Sequence, residues 1–129
     1  MSNEVQRVHQ IAQHADDLDR ATAFYRDVLG LRFIATFVPP GLVFFELGSS
    51  RLLIEAGAPS ALLYLEVADI DATRAHLVDA GVSFEDEPHM IFRDSHGTFG
   101  IVDAEEWMTF FRDSEANLVG LVERRVRIP

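Results

Sequence analysis

Two stretches of this chain, 52 positions apart at their first residues, share one pattern: DLDRATAFYRDVLG (17–30) and DIDATRAHLVDAG (69–81). Each opens on an aspartate that can cap a helix (Asp17 or Asp16 in the first, Asp69 in the second), carries apolar residues at helical spacing, and closes on a glycine suited to a left-handed C-terminus. The first stripe is Leu18, Ala21, Phe24, Val28 and Leu29; the second is Ile70, Leu77 and Ala80. Strand-like text precedes both helices, HQIAQHA (9–15) and LLYLEVA (62–68), and follows both, LRFIATFV (31–38) and VSFEDE (82–87). Two more strands complete each half: LVFFELG and RLLIEAG around Gly48-Ser49-Ser50, then EWMTFFRD and NLVGLVER around Ser114-Glu115-Ala116. The period predicts an α+β fold of two βαβββ modules, about 5–57 and about 61–125, in one domain spanning 1–129.

A single helix covers one face of its sheet and leaves the other bare. Two such units predict a curved, mixed eight-stranded sheet around a cavity, with the helices outside. GAPSA (57–61) is a short linker, and RDSHGTFGIVDAE (93–105) has the polar, glycine-bearing character of an irregular loop.

Composition narrows the function. The chain has 129 residues and no cysteine, which removes disulfides, thiolate metal sites and cysteine nucleophiles and suggests a reducing cytoplasm. A net charge of −10 opposes a phosphate backbone, so no nucleic-acid partner is expected. No apolar run reaches the roughly 20 residues of a membrane span. Arg124, Arg125 and Arg127 form the one dense basic cluster, read as a frayed, solvated tail. GTFG (97–100) lacks the Lys-Ser/Thr of a phosphate loop, and Ser49-Ser50 lacks the context of a nucleophile elbow.

Three segments, DDLDRATAFYRDVLGL (16–31), LYLEVADIDA (63–72) and FFRDSEANLVGLVE (110–123), resemble the glyoxalase/bleomycin-resistance/dioxygenase group, the vicinal oxygen chelate superfamily. The resemblance implies paired βαβββ modules, usually a homodimer, and a small-molecule cavity. Metal-dependent members carry four ligands on the first and last strands of the modules, and those positions fall here on Gln10, Leu53, Leu62 and Gly120. Transition metals need imidazole or carboxylate donors at about 2.0–2.2 Å, so this set predicts no metal and no cofactor. The family's Asp-Pro-Asp-Gly-Asn turn reads Asp113-Ser114-Glu115-Ala116-Asn117, where Asn117 is expected to take the left-handed conformation.

Alternation along the strands groups Val8, Gln10, Ala12 and His14; Arg51, Leu53 and Glu55; Leu62, Tyr64 and Glu66; Leu118, Gly120 and Val122. The expected cavity wall is therefore apolar, with Gln10, His14, Glu55 and Tyr64 as its polar groups. His14 beside Glu55 would form a base–acid pair; the plain alternatives are a structural histidine and a rim pair between Glu55 and Arg51. Trp107, with His89 and His96 at the long loop or its edges, either stacks on a planar ligand or anchors the loop. Phe44, Phe45, Phe110 and Phe111 read as packing. Three functions stay open. One is metal-free binding of a small, partly apolar molecule, with or without modest acid–base chemistry by His14 and Glu55. Another is a metal-dependent lyase, epimerase or dioxygenase with ligands relocated to His9, His14, Glu55 and Glu66, or to a loop histidine. The third is a protein-interaction module.

Overall fold

The computed structural model describes residues 3–126. Module one runs β1 (Gln10–His14), α1 (Leu18–Ala23), β2 (Phe33–Phe37), β3 (Leu42–Leu47) and β4 (Ser50–Glu55). Module two repeats the order as β5 (Leu63–Glu66), α2 (Ile70–Asp79), β6 (His89–Asp94), β7 (Ala104–Arg112) and β8 (Leu118–Arg125). The fold is α+β, built from two βαβββ modules. Each forms a four-stranded mixed sheet, ordered β1-β4-β3-β2 in one and β5-β8-β7-β6 in the other. The first strand of each module runs parallel to the last, and the remaining pairs are antiparallel. The chain divides into two compact units between Ala61 and Leu62, a few residues beyond the predicted end of module one.

In module one the helix side of the sheet is apolar. Val43 pairs with Ile54 and Phe45 with Leu52, and all four are buried. Removing a side chain such as Phe45 from water contributes roughly 1.5–3 kcal/mol. Asp17 caps α1 by accepting from the Arg20 amide at 3.0 Å, as its sequence predicts. After Ala23 the helix widens into a π-type turn over Phe24–Val28, in which the Leu29 amide donates to the Phe24 carbonyl. The wider turn re-aims the side chains. It seats Tyr25, absent from the predicted stripe, fully buried with its ring centroid 6.1 Å from that of Phe45.

Module two follows the same plan. Asp69 caps α2 through the Ala72 amide at 3.0 Å, and the Glu123 carboxylate of β8 accepts from the Ile70 amide at 2.8 Å. Ile70 and Leu77 are buried with Val119, Leu121 and Phe111, whereas Ala80 is exposed at the helix end. Gly30 and Gly81, with φ of 75° and 91°, take the left-handed conformations predicted for the helix stops.

Four expectations are corrected. VSFEDE is not a strand: Phe84 makes one bridge to Phe111, and the strand after α2 is His89–Asp94. The reason is Asp86, whose carboxylate accepts from Thr109 Oγ1 at 2.8 Å and the Phe110 amide at 3.0 Å, taking the place of a ladder partner. The irregular loop is accordingly shorter than 93–105, because Arg93 and Asp94 belong to β6 and Ala104 and Glu105 to β7. In the turn before β8, Ala116 rather than Asn117 has positive φ, 65°. Asp113 Oδ1 accepts from the Glu115 and Asn117 amides, both at 2.8 Å, and Oδ2 from Asn117 Nδ2 at 2.9 Å, which holds Asn117 and passes the strain to Ala116. Finally, Arg124 and Arg125 are no frayed tail. Both are half-buried in β8, and Arg125 pairs with Asp71 at 2.9 Å and Glu123 at 2.6 Å. Arg127 lies outside the described residues.

Candidate functional site

The side of the module-one sheet turned away from α1 carries Gln10, Ala12 and His14 of β1, Arg51, Leu53 and Glu55 of β4, and Phe44 of β3. Strand register aligns Gln10 with Arg51, Ala12 with Leu53 and His14 with Glu55, while Leu53 pairs across with Phe44. Gln10 Oε1 accepts from Arg51 Nε at 2.7 Å, and the Arg51 guanidinium lies 5.2 Å from the Phe44 ring centroid. Phe44 meets Phe37 edge to face at 5.9 Å. Leu53 is buried, Ala12 half-buried, and Arg51 exposed. This face combines apolar Ala12, Leu53 and Phe44 with a guanidinium that lies over the Phe44 ring and is held by the Gln10 amide.

His14 sits at the end of β1, where its Nδ1 lies 2.9 Å from the Ala56 carbonyl and 3.1 Å from that of Ala58. Its Nε2 lies 2.9 Å from Asp16 Oδ1. The hydrogen bond to Asp16 and the Ala56 carbonyl raise the imidazole pKa above its usual value, against partial desolvation. The buried Gln13 amide donates to the Ala61 carbonyl at 2.9 Å and accepts from the Ala61 amide at 2.8 Å. Together, Gln13 and His14 pin the linker 56–61 onto module one. Glu55 is half-buried at the end of β4, and Arg51 turns to Gln10 rather than to it.

On the module-two sheet, the face away from α2 brings together Tyr64, Phe110 and Gly120. Tyr64 and Gly120 are register partners, as are Gly120 and Phe110. The two rings meet edge to face at 5.8 Å directly over the glycine. A Cβ on Gly120 would lie 3.0 Å from Phe110 and 3.1 Å from Tyr64, so the rings use the space a side chain would need. Leu62 precedes β5 and is 48% exposed.

Trp107 is placed differently from expectation. It lies within β7 on the α2 side, opposite Phe110, as the register partner of Glu123. Arg125 covers its ring at 4.0 Å and its Nε1 donates to Glu105 at 3.0 Å. Alternation counted back from Phe110 would have found this face. His89 lies in β6 and His96 in the turn that follows; both are exposed, as is His9. The sequence reads Phe44, Phe45, Phe110 and Phe111 as core and sheet-face packing, without saying which residue takes which place. One of each pair, Phe45 and Phe111, is fully buried, while Phe44 and Phe110 line the open faces.

The residues at the four positions do not suit a metal. Gln10 gives its carbonyl oxygen to a guanidinium, which repels a second cation at that spot. Leu53 and Leu62 offer no donor, and Gly120 is roofed by rings. Among the described residues, no three histidine, aspartate or glutamate side chains gather where they can hold one ion.

Residues 7–121 match the family model described as the glyoxalase/bleomycin resistance protein/dioxygenase superfamily. The chain belongs to that superfamily. Solved structures of similar fold include TnmS3, an antibiotic binding protein from Streptomyces sp. CB03234, with 19% identity and a TM-score of 0.75 over 94% of this chain and 98% of that one. A lactoylglutathione lyase from Agrobacterium tumefaciens gives 24% identity and 0.69 over 93% and 95%. A superfamily member from Sphaerobacter thermophilus DSM 20745 gives 21% and 0.73 over 92% and 98%. At these identities the likeness speaks for the fold. Among curated proteins, none matches the chain at a significant level. No described helix is long and apolar enough to cross a membrane.

Proposed function

We propose that this superfamily member is a metal-independent protein that binds a small, partly apolar organic molecule, and that it sequesters the molecule rather than transforming it. The observation that carries this reading is the Gln10–Arg51 hydrogen bond, which puts a positive charge beside the first position where metal-dependent relatives need a cation ligand. Leu53, Ala12, Phe44, Gln10 and Arg51 combine apolar lining with a few orienting polar groups, the make-up of a small-molecule site. The bonds of His14 to Ala56, Ala58 and Asp16 favour a linker clamp over a general base paired with Glu55. The antibiotic-binding role of TnmS3, on a similar fold, agrees with sequestration. Tyr64, Leu62 and Gly120 form the corresponding wall of module two, and Trp107 is assigned to α2 packing instead of ligand stacking.

A thermal-shift screen of small aromatic and heteroaromatic compounds, run with and without chelator, tests the reading. A compound present at about 100 times its Kd stabilises the native state by roughly 2.7 kcal/mol, which raises Tm by several degrees. The expected result is at least one such shift, unchanged by chelator. Stoichiometric transition metal in the purified protein, with a turnover lost on chelation and restored by the metal, would overturn it. The homodimer usual for the family completes the proposal. Exposed Phe33, Ile34 and Val38 on and beside the edge strand β2 supply an apolar surface for it. Light scattering that returns the mass of a single 14.5 kDa chain at micromolar concentration would remove the dimer.

A further inference from the structure

We propose that the open face of the module-one sheet recognises one ligand class, a planar aromatic monocarboxylic acid, with Arg51 as the carboxylate anchor. This inference rests on the small-molecule reading and specifies it.

Charge makes the first part of the case. Although the chain carries a net charge of −10, only some of its arginines are neutralised: among the described residues Arg26, Arg32, Arg93, Arg112 and Arg125 each pair with at least one carboxylate, whereas Arg7, Arg74 and Arg124 bond to backbone carbonyls. Arg51 has no carboxylate partner among the described residues; its side-chain hydrogen bond goes from Nε to the neutral Gln10 amide. A neutral acceptor fixes the guanidinium without cancelling its charge. The adjacent carboxylate, Glu46, is the register partner of Arg51 but is engaged by Arg32 at 3.2 Å. An exposed guanidinium, oriented at one edge by an amide, presents its remaining N–H groups as a planar fork matched to a carboxylate.

Shape makes the second part. Phe44 lies 5.2 Å from the Arg51 guanidinium and Phe37 stands edge-on to Phe44 at 5.9 Å, with buried Leu53 beside Phe44 as its register partner. Phe37 is 53% exposed, so its ring is open to a partner. A flat aromatic body beside the carboxylate covers these surfaces in offset or edge-to-face contact. Glu46 and Glu55 on the same face repel further negative charge, which favours a monoanion over a phosphate dianion.

The test compares 1-naphthoate, its neutral analogue 1-naphthamide and the dianion 1-naphthyl phosphate, by calorimetric titration of the intact protein at low salt. The expected order places the naphthoate at least about tenfold tighter than either of the others. Arg51→Met should abolish the preference for naphthoate over the amide while the amide still binds, which also shows that the variant is folded. Arg51→Lys should keep part of it, since it retains the charge and loses the fork. Equal binding of acid and amide by the unaltered protein, or tighter binding of the phosphate, overturns the inference and leaves the metal-independent binding reading intact. Failure of all three probes to bind overturns the inference too, and the broader chelator-controlled screen then decides the parent reading by itself. The comparison of probes needs no variant, so a poorly folding substitution cannot rescue the proposal.

Discussion

Ala116 holds a φ of 65° because Asp113 has already committed both carboxylate oxygens to Asn117 and its neighbours. A left-handed residue with a Cβ costs about 1–2 kcal/mol, while glycine adds backbone entropy to the unfolded chain. Ala116→Gly is therefore expected to stabilise the protein by about 0.5–1 kcal/mol, read as a higher urea midpoint with unchanged slope. At His14 the hydrogen bond to Asp16, supported by the Ala56 carbonyl, raises the folded-state pKa above the unfolded value of about 6.5. The native state thus prefers the imidazolium. The stabilisation is complete below pH 6.5 and disappears as pH rises through the folded-state value. A pH series of Tm should show the gap between the unaltered protein and His14→Gln narrowing as pH rises above about 6.5. A gap that widens over that range would mean the neutral ring is the bound form.

The segment between α2 and β6 shows how one side chain redirects an element. Glu85, Asp86 and Glu87 interrupt the apolar alternation, and Asp86 turns its carboxylate onto β7 to serve Thr109 and Phe110. Thr109 is fully buried, so its hydroxyl depends on that region for a partner. Asp86→Ala is expected to destabilise by about 1–3 kcal/mol, the cost of the Phe110 amide losing its acceptor while Thr109 Oγ1 keeps the Asp86 carbonyl at 3.0 Å. Asp86→Asn retains an oxygen and should recover most of the loss in the same denaturation assay. The elements that were legible beforehand are those whose signals are local. Asp17 and Asp69 cap their own helices, Gly30 and Gly81 end them, and strands β3, β4, β7 and β8 are apolar-rich runs set off by the turns at Gly48-Ser49-Ser50 and Ser114-Glu115-Ala116. The π-type turn at Phe24–Val28 left no comparable mark, because it is decided by how Tyr25 fits against Phe45 on another element.

At the scale of the molecule, the charge of −10 is a single collective term. Raising salt from about 0.01 M to about 0.1 M shortens the Debye length from about 30 Å to about 10 Å and weakens the mutual repulsion of the carboxylates. Exposed ion pairs such as Arg32–Glu46 contribute little that salt can remove. Tm should therefore rise by a degree or more across that interval; a fall would show that the surface pairs outweigh the repulsion. The repeat, the α+β class and the superfamily were all readable in the chain, because hydrophobic period, caps and stops are properties of neighbouring residues. The family resemblance also marked Gln10, Leu53, Leu62 and Gly120 as the places where metal-dependent members carry ligands. It left open what each of them touches. Gln10 and Arg51 are separated by 41 residues, and only the parallel pairing of β1 with β4 joins them. Tyr64 and Phe110 close over Gly120, and Trp107 falls on the α2 side, through the registers of β5, β7 and β8. Side-chain partnership across strands is a long-range property, fixed when the sheet assembles, and no local pattern encodes it.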